Sequence, residues 1–214
     1  MKVIITGTTR GIGKSIAELF LKRGHQVIGI DVLGPSIAHP SYTHHQADIA
    51  SDPLPEIDSP DILINNAGIQ EGNVIDVNLK GTIRVSEQYA LSPSIRSVLF
   101  IASASASTGA EFPEYAASKG GVVSYMKNLA ARVASFGATC NALSPGGVNN
   151  ELNAHILQDE KLYEAVLNET MLHAWAETEE IAEWAYFLTV VNRSMTAQDV
   201  LVDNGEAAKS NFIW

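Results

Sequence analysis

The sequence is poor in cysteine and in positive charge. It contains one cysteine, Cys140, and 14 Lys and Arg residues against 24 Asp and Glu residues. A lone cysteine cannot form an internal disulfide, and the apolar run 138–143 around it predicts a small buried side chain. The formal charge of −10 opposes binding to nucleic acid and to anionic lipid. We therefore expect neither nucleic acid nor a membrane as a partner.

Long apolar stretches and flexible linkers are also missing. No apolar segment is long enough to span a bilayer, and the chain opens on a strand pattern instead of a basic region followed by an apolar stretch. No linker or block of like charge divides the 214 residues, of which 46% are hydrophobic. These observations predict a cytoplasmic protein with one domain over 1–214.

The six histidines show no spacing typical of metal ligands. His44 and His45 are adjacent, so on an extended chain their side chains point to opposite sides, and we interpret them as surface residues. We therefore predict no metal site.

Short apolar runs alternate with longer helical patterns along the chain. The runs 3–5, 27–30, 62–64, 98–101, 139–143 and 200–202 predict strands, and the patterns over 12–22, 73–91, 114–135 and 178–190 predict helices. This alternation is typical of an α/β fold with a doubly wound parallel sheet of the Rossmann type. The segment 33–60 shows little helical periodicity, so we expect a short or irregular crossover there. Ligands of such sheets bind at the carboxyl ends of the strands.

Three glycines follow the first predicted strand in the pattern T-G-x-x-x-G-x-G. At Gly7, Gly11 and Gly13, missing side chains allow backbone N–H groups and a helix start to approach a dinucleotide pyrophosphate. A merely structural turn explains the motif equally well. Asp31 favours the first interpretation, because it ends the second strand, where a carboxylate can accept hydrogen bonds from an adenosine ribose. Its alternative is a solvated turn aspartate.

Two further sets of polar residues are candidates for contacts with a cofactor. Residues 65–68, Asn-Asn-Ala-Gly, emerge after a buried run, where they would support a cofactor and the neighbouring strand, or form a plain turn. Asp48, followed by Ile49, could accept a hydrogen bond from an adenine amino group, and an exposed loop aspartate is an equal alternative.

Tyr115 and Lys119 lie four residues apart in the predicted helix 114–135. Residues at this spacing share one helix face, so the ammonium can lie beside the phenol and favour the phenolate. This arrangement indicates a tyrosine that transfers protons.

Ser103 and Asn78 are candidates to assist that tyrosine. Ser103 directly follows a strand, so its hydroxyl could reach a carbonyl oxygen near the phenol, with Ser105 and Ser107 as competing candidates. Asn78 would hold a water, through its backbone or its amide, near Lys119, or it is a satisfied helix asparagine.

Together these motifs resemble the classical short-chain dehydrogenase/reductase family. The resemblance covers nearly the whole chain and rests on the glycine pattern at 6–13, N-N-A-G at 65–68, Asn78, Ser103, Y-x-x-x-K at 115–119 and S-P-G-G-V at 144–148. It implies an NAD(P)-dependent oxidoreductase in which Tyr115 exchanges the substrate proton and Ser103 polarises the carbonyl. Lys119 would favour the phenolate and bind the nicotinamide ribose, and Asn78 would anchor a relay water.

The motifs and the resemblance also define a set of expected cofactor-binding residues. They are Gly7, Thr9, Arg10, Gly11, Ile12, Gly13, Asp31, Asp48, Ile49, Asn66, Ala67, Gly68, Tyr115, Lys119, Pro145, Gly146 and Val148. Where the family commonly has a threonine after this last motif, the chain has Asn150, which can also hydrogen-bond an amide or a phosphate.

Two of these residues disagree on the choice of cofactor. Arg10 resembles the basic residue of NADP-preferring members, and Asp31 resembles the acidic residue of NAD-preferring members. We expect Asp31 to dominate, because its carboxylate would repel a 2′-phosphate. The sequence therefore predicts NAD(H) as the cofactor, with NADP(H) as the second choice.

The motifs leave two functions open. One is an enzyme that interconverts a secondary alcohol and a ketone, or reduces a related carbonyl, and the other is a dinucleotide-binding sensor or scaffold without turnover. The apolar stripe in segment 149–175 predicts a substrate lid, with ordinary packing or a subunit contact as alternatives. The helices 73–91 and 114–135 resemble the pair that forms dimers in the family, which implies a homodimer or homotetramer.

Overall fold

Seven parallel strands form one sheet in the computed structural model, which describes residues 1–110 and 112–209. They are β1 (Lys2–Thr6), β2 (Gln26–Asp31), β3 (Tyr42–Gln46), β4 (Ile62–Asn65), β5 (Ser97–Ile101), β6 (Thr139–Pro145) and, after the short pair β7 (Val148–Asn149) and β8 (Ala176–Glu177), β9 (Asp199–Val202). The strand order is β3-β2-β1-β4-β5-β6-β9. The chain winds outward in opposite directions from the β1–β4 pair, which confirms the predicted doubly wound Rossmann-type sheet.

The helices connect these strands and cover both faces of the sheet. They are α1 (Gly11–Lys22), a π-helical turn over Ile75–Gly81 that continues as α2 (Thr82–Tyr89), α3 (Ser105–Thr108), α4 (Pro113–Val133), α5 (Ala154–Leu157), α6 (Glu160–Leu167) and α7 (Thr178–Tyr186), which continues as a π-helical turn over Phe187–Val191. Pro113 suits the first position of α4 because its missing N–H would have no partner there. None of the helices in the described part of the chain is both long and apolar enough to cross a membrane.

Alternate residues of each central strand pack into two separate hydrophobic cores, one on each face of the sheet. In β1, Val3 and Ile5 pack with α1 and α7 on one face, and Ile4 packs with α2 and α4 on the other. Phe20 of α1 and Met126 of α4 are completely buried in these two layers. The continuous apolar runs of the central strands are explained by this burial on both sides.

One strand, β3, was not predicted from the sequence. It lies within the segment 33–60, reads Tyr-Thr-His-His-Gln and pairs in parallel with β2 alone. An edge strand with half-exposed side chains has no apolar run, so the pattern that identifies buried strands is missing. The connections before and after it, over 32–41 and 47–61, are fully described and contain no helix, as expected for an irregular crossover. Ile49 and Leu54 from the second connection cover the sheet face instead.

Candidate active site

A cleft of about 870 Å³ lies at the carboxyl ends of the strands. Its lining includes Gly7 after β1, Asp31 at the end of β2, Asn66 after β4, Ser103 after β5 and Gly146 after β6. The cleft therefore spans the point where the two halves of the sheet diverge, which is where doubly wound sheets bind their ligands.

The glycine-rich turn packs tightly against the end of β4. Asn66 donates from Nδ2 to the carbonyl oxygens of Thr6 and Gly7, at 3.0 Å each. Thr6 Oγ1 in turn accepts from the backbone N–H groups of Asn66 and Ala67. A Cβ on Gly13 would overlap the Gly7 carbonyl oxygen, and Gly7 itself has φ +75. Glycine is required at both positions, for space at Gly13 and for conformation at Gly7.

The start of α1 is open toward the cleft. Gly11 is the first helical residue, and Arg10 before it makes no side-chain capping hydrogen bond to the described chain. The first backbone N–H groups of a helix have no partner within it, so those of Gly11, Ile12 and Gly13 remain available. A Cβ on Gly11 would have Glu151 Oε2 as its nearest neighbour, at a distance of 3.8 Å. This space and these N–H groups fit a dinucleotide pyrophosphate.

Asp31 is fixed beside the glycine-rich turn. Its Oδ2 accepts from Thr9 N and its Oδ1 from Leu33 N, each at 2.9 Å. Each carboxylate oxygen keeps a second lone pair, so both can still accept from the hydroxyls of a ribose. Thr9, which was predicted to bind the cofactor, is not among the residues that line the cleft, and its Oγ1 donates to the Gly34 carbonyl at 3.1 Å.

Asp48 and Ile49 also line the cleft. The Asp48 carboxylate accepts from Ala50 N at 2.8 Å and from Ser51 Oγ at 3.2 Å. The Asp48 carboxylate therefore stabilises its own turn. Because Asp48 also lines the cleft, its contact with an adenine amino group stays a prediction.

Tyr115 and Lys119 meet in the cleft as their spacing in α4 predicts. Lys119 Nζ lies 5.6 Å from the centroid of the Tyr115 ring, and it donates to the Ile101 carbonyl at 2.9 Å. The lysine is only 6% exposed, and burial lowers its pKa from 10.5 to about 8. A buried ammonium beside a phenol favours the phenolate, because little solvent screens the charge.

Asn78 lies behind the cleft lining, in the π-helical turn Ile75–Gly81, and is 1% exposed. Its Oδ1 accepts from Ile69 N at 2.8 Å, and its Nδ2 donates to Ile69 O at 2.9 Å and to Ser118 Oγ at 3.2 Å. Both amide hydrogens are therefore used. The side chain joins the π-helical turn, the segment after β4 and α4.

Ser103 is the one of the three candidate serines that belongs to the described cleft lining. Its Oγ accepts from Ser105 N at 3.2 Å and from Ser105 Oγ at 3.0 Å. Because Oγ accepts both bonds, its own hydrogen is left for a ligand. Ser107 Oγ instead donates to the Ala104 carbonyl at 3.0 Å.

Pro145, Gly146 and Val148 line the cleft after β6. Trp175, the last residue of the predicted lid segment, packs against Gly147, and Glu206, which the sequence analysis did not select, packs against Gly146. A Cβ on Gly147 would overlap the Trp175 ring, and a Cβ on Gly146 would lie 2.7 Å from Glu206 Oε2. Burial is the main cause of a raised pKa at Glu206, which Asp203 and Glu169 raise further and a hydrogen bond from the Gly147 backbone opposes. Glu206 lies in none of the motifs that the sequence analysis identified, and only the close-packed Gly146 indicates a neighbour there.

Segment 149–175 does not form the single apolar stripe that was predicted. It folds into the short helices α5 and α6, so its apolar residues divide between two surfaces. Leu152, Ile156 and Val166 line the cleft, while Met171 and Leu172 are 51% and 70% exposed. Asn150 lines the cleft as well, and its Oδ1 accepts from Leu152 N and Asn153 N and so caps the helical turn after it.

The fold and the cleft define the class of α/β oxidoreductases that bind a nicotinamide dinucleotide. The chain belongs to the short-chain dehydrogenase/reductase family: the family model described as enoyl-(acyl carrier protein) reductase matches residues 7–206.

Known proteins of different substrate classes are similar to the chain. The 3-oxoacyl-(acyl-carrier-protein) reductase FabG of Buchnera aphidicola is 31% identical, with 94% of each chain covered. The aldohexose dehydrogenase of Thermoplasma acidophilum is similar in structure with a TM-score of 0.88 at 26% identity, over 100% of this chain and 96% of that one. A candidate 2-deoxy-D-gluconate 3-dehydrogenase of Agrobacterium tumefaciens with bound NADP has a TM-score of 0.86 at 28% identity, over 97% and 96% of the two chains.

Proposed function

We propose that the protein is an NAD(H)-dependent oxidoreductase that interconverts a secondary alcohol and a ketone, or reduces a related carbonyl. The observation that carries this proposal is the buried Lys119 ammonium beside the Tyr115 ring in the cleft. Burying an ammonium costs stability, and a sensor or scaffold that only binds a dinucleotide has no use for the proton transfer that it supports. We therefore favour turnover over the sensor function.

The residues divide the work of this reaction. The N–H groups at the start of α1 and the Asp31 carboxylate would hold the dinucleotide, which supplies or accepts the hydride when it is bound. In the reducing direction Tyr115 donates its hydroxyl proton to the carbonyl oxygen, while Ser103 hydrogen-bonds the same oxygen and polarises it. In the oxidising direction the Tyr115 phenolate takes the proton from the alcohol.

Lys119 and Asn78 support the tyrosine in different ways. With a pKa of about 8, Lys119 remains largely protonated at neutral pH and keeps its charge beside the phenol. Asn78 has both amide hydrogens engaged, so we assign the relay water to its main chain in the π-helical turn. The sequence analysis had left both the backbone and the amide of Asn78 as candidates to hold this water.

We further propose a preference for NAD(H). Asp31 would face the 2′-phosphate of NADP(H), and the loop 32–36 that follows it contains no lysine or arginine to offset the repulsion. Arg10 lines the cleft at the start of α1 but is exposed there, so solvent screens the charge with which it could offset this repulsion.

The substrate end of the cleft favours a substrate without negative charge. We define this end by Glu206, Glu169, Trp175 and the lining residues of segment 149–175. Three carboxyl groups there, those of Glu151, Glu169 and Glu206, would repel an anion, and several apolar side chains would accommodate an uncharged carbonyl compound. We propose segment 149–175 as the substrate lid and retain the homodimer or homotetramer and the cytoplasmic location as predictions.

Replacing Tyr115 with phenylalanine tests the proposed function. Tyr115→Phe should lower kcat on a panel of uncharged ketones by about 10²-fold or more, because it removes the proton donor. The Kd for NADH, measured by fluorescence titration, should change less than about threefold. Tyr125→Phe, on the same helix and bonded to Glu87, is the matched control. Near wild-type kcat in Tyr115→Phe would exclude the acid/base role.

A further inference from the structure

One of the two adjacent histidines in β3 takes part in a chain of hydrogen bonds that reaches the cofactor end of the cleft. Thr8 Oγ1 lies 2.8 Å from Tyr42 Oη, Tyr42 Oη lies 2.9 Å from His44 Nδ1, and His44 Nε2 lies 2.8 Å from the Leu33 carbonyl oxygen. Gly29 of β2 makes room for it, since a Cβ there would overlap both the Tyr42 and the Thr8 hydroxyl oxygens. His44 is therefore half-buried and engaged, whereas the sequence indicated a surface residue.

The direction of each bond follows from the chemistry of its partners. A carbonyl oxygen can only accept, so His44 Nε2 carries the hydrogen that is donated to Leu33. In a neutral imidazole Nδ1 is then an acceptor, so Tyr42 donates to it and Thr8 donates to Tyr42. Thr8 is completely buried, which anchors the far end of the chain in the fold.

Leu33 connects this chain to the proposed cofactor-binding carboxylate. Its N–H donates to Asp31 Oδ1 at 2.9 Å, while its carbonyl accepts from His44. The same loop is attached to β3 by Gln46 Nε2, which donates to the Val32 carbonyl at 3.0 Å. His44 thus holds the carbonyl of the same residue whose N–H orients Asp31.

We propose that His44 is a positioning residue for cofactor selection: through Leu33 it holds the Asp31 carboxylate in the orientation that accepts ribose hydroxyls and repels a 2′-phosphate. The inference rests on the proposed NAD(H) preference. Without this bond Leu33 is held less firmly, although Gln46 and Thr9 still bond Val32 and Gly34. The Asp31 carboxylate then gains rotameric freedom, and both the gain from the ribose hydroxyls and the repulsion of the phosphate fall.

Two near-isosteric substitutions separate the two bonds of the ring. His44→Gln places an amide N–H near the position of Nε2 and keeps a donor for Leu33. His44→Asn places its amide near the position of Nδ1 and loses that donor. His45→Asn is the matched control, because adjacent side chains of a strand lie on opposite faces and His45 forms no hydrogen bond to loop 32–36 among the described residues.

The assay is the Kd of the full-length protein for NADH and for NADPH, by nucleotide fluorescence without substrate. His44→Asn should weaken NADH binding about three- to tenfold, as the loss of one organising hydrogen bond implies, and leave NADPH binding unchanged or tighter. His44→Gln and His45→Asn should each stay within about twofold of the wild type. Amide hydrogen exchange at Leu33 should accelerate in His44→Asn alone.

The outcomes separate this inference from the proposed cofactor preference. An unchanged ratio of the two Kd values in His44→Asn, or equal weakening of both nucleotides with a lowered melting temperature, overturns the positioning role. A wild type that binds NADPH more tightly overturns the NAD(H) preference, while a changed ratio in His44→Asn still supports the role of His44.

Discussion

Replacing Lys119 with methionine should stabilise the protein while it removes turnover. Burial lowers the pKa of Lys119 from 10.5 to about 8, so the folded state disfavours the charged lysine. A shift of this size corresponds to roughly 3 kcal/mol of lost stability at neutral pH. Methionine has a similar length and no charge, so it removes this cost and still fills the space.

One contact opposes the gain. Lys119 Nζ donates to the Ile101 carbonyl at 2.9 Å, and methionine leaves that acceptor without this donor. Losing one partner of a buried hydrogen bond costs about 1–2 kcal/mol. We therefore expect the free energy of unfolding at pH 7 to rise by about 1–2 kcal/mol in Lys119→Met, which raises the melting temperature by about 3–6 °C in a chain of this length.

The pH dependence identifies the cause. Below about pH 8 the lysine is protonated in both the folded and the unfolded state, so the wild type carries the full cost. Between about pH 8 and 10.5 the unfolded state binds more protons, so wild-type stability rises with pH relative to the variant. The advantage of Lys119→Met should shrink through this range and reverse near its upper end, because the lost hydrogen bond remains.

Urea unfolding at about pH 7 and about pH 9.5 measures both effects. Lys127→Met is the control, because it removes an exposed lysine from the same helix and therefore removes no burial cost. A Lys119→Met variant that is less stable at pH 7, or whose difference from the wild type is the same at both pH values, would refute the argument.

Two further substitutions test the two ends of the cleft. Asp31→Ser should raise the ratio of kcat/KM for NADPH to that for NADH by about tenfold or more, because it removes the carboxylate that repels the 2′-phosphate; a wild-type preference for NADPH, or an unchanged ratio, contradicts the assignment. Glu206→Gln should raise kcat/KM for acetoacetate relative to its methyl ester by about three- to tenfold, since one negative charge leaves the substrate end. An equal effect on both compounds would show that Glu206 does not select by charge.

The parts of the fold that the sequence predicted are those whose burial imposes a pattern. Strands such as β1 and β5 are covered on both faces, so every buried residue in them is apolar or small. β3 was not predicted, because only one of its edges is paired and its polar side chains hydrogen-bond the loop beside it. The π-helical turn at Ile75–Gly81 was not predicted either, because the apolar pattern over 73–91 does not distinguish a π-helical turn from an α-helix.

The residues of the candidate site were likewise predicted only where their place in the fold follows from the sequence pattern. Residues that follow strand ends, such as Gly7, Asp31 and Ser103, were found because a parallel sheet brings all its carboxyl ends to one edge. Trp175 and Glu206 come from irregular segments far along the chain, and only three-dimensional packing against Gly147 and Gly146 places them in the cleft. Glu206 had no local signal in the sequence, and Trp175 was included only as the last residue of the predicted lid segment 149–175.

The cleft is held together mainly by side chains that bond to the main chain of a different segment. Thr6 accepts from the backbone after β4, Asn78 bonds both polar groups of Ile69, and Lys119 donates to the Ile101 carbonyl. The bonds of Thr6 and Asn78 fix a strand end and a loop without using a side chain that lines the cleft, whereas the bond of Lys119 also orients a side chain in the cleft. The geometry of the site therefore depends in part on buried side chains outside the cleft lining, such as those of Thr6 and Asn78. Because these bonds act on backbone positions, disturbing one should displace several ligand-facing groups together, an effect that no single contact in the cleft would reveal.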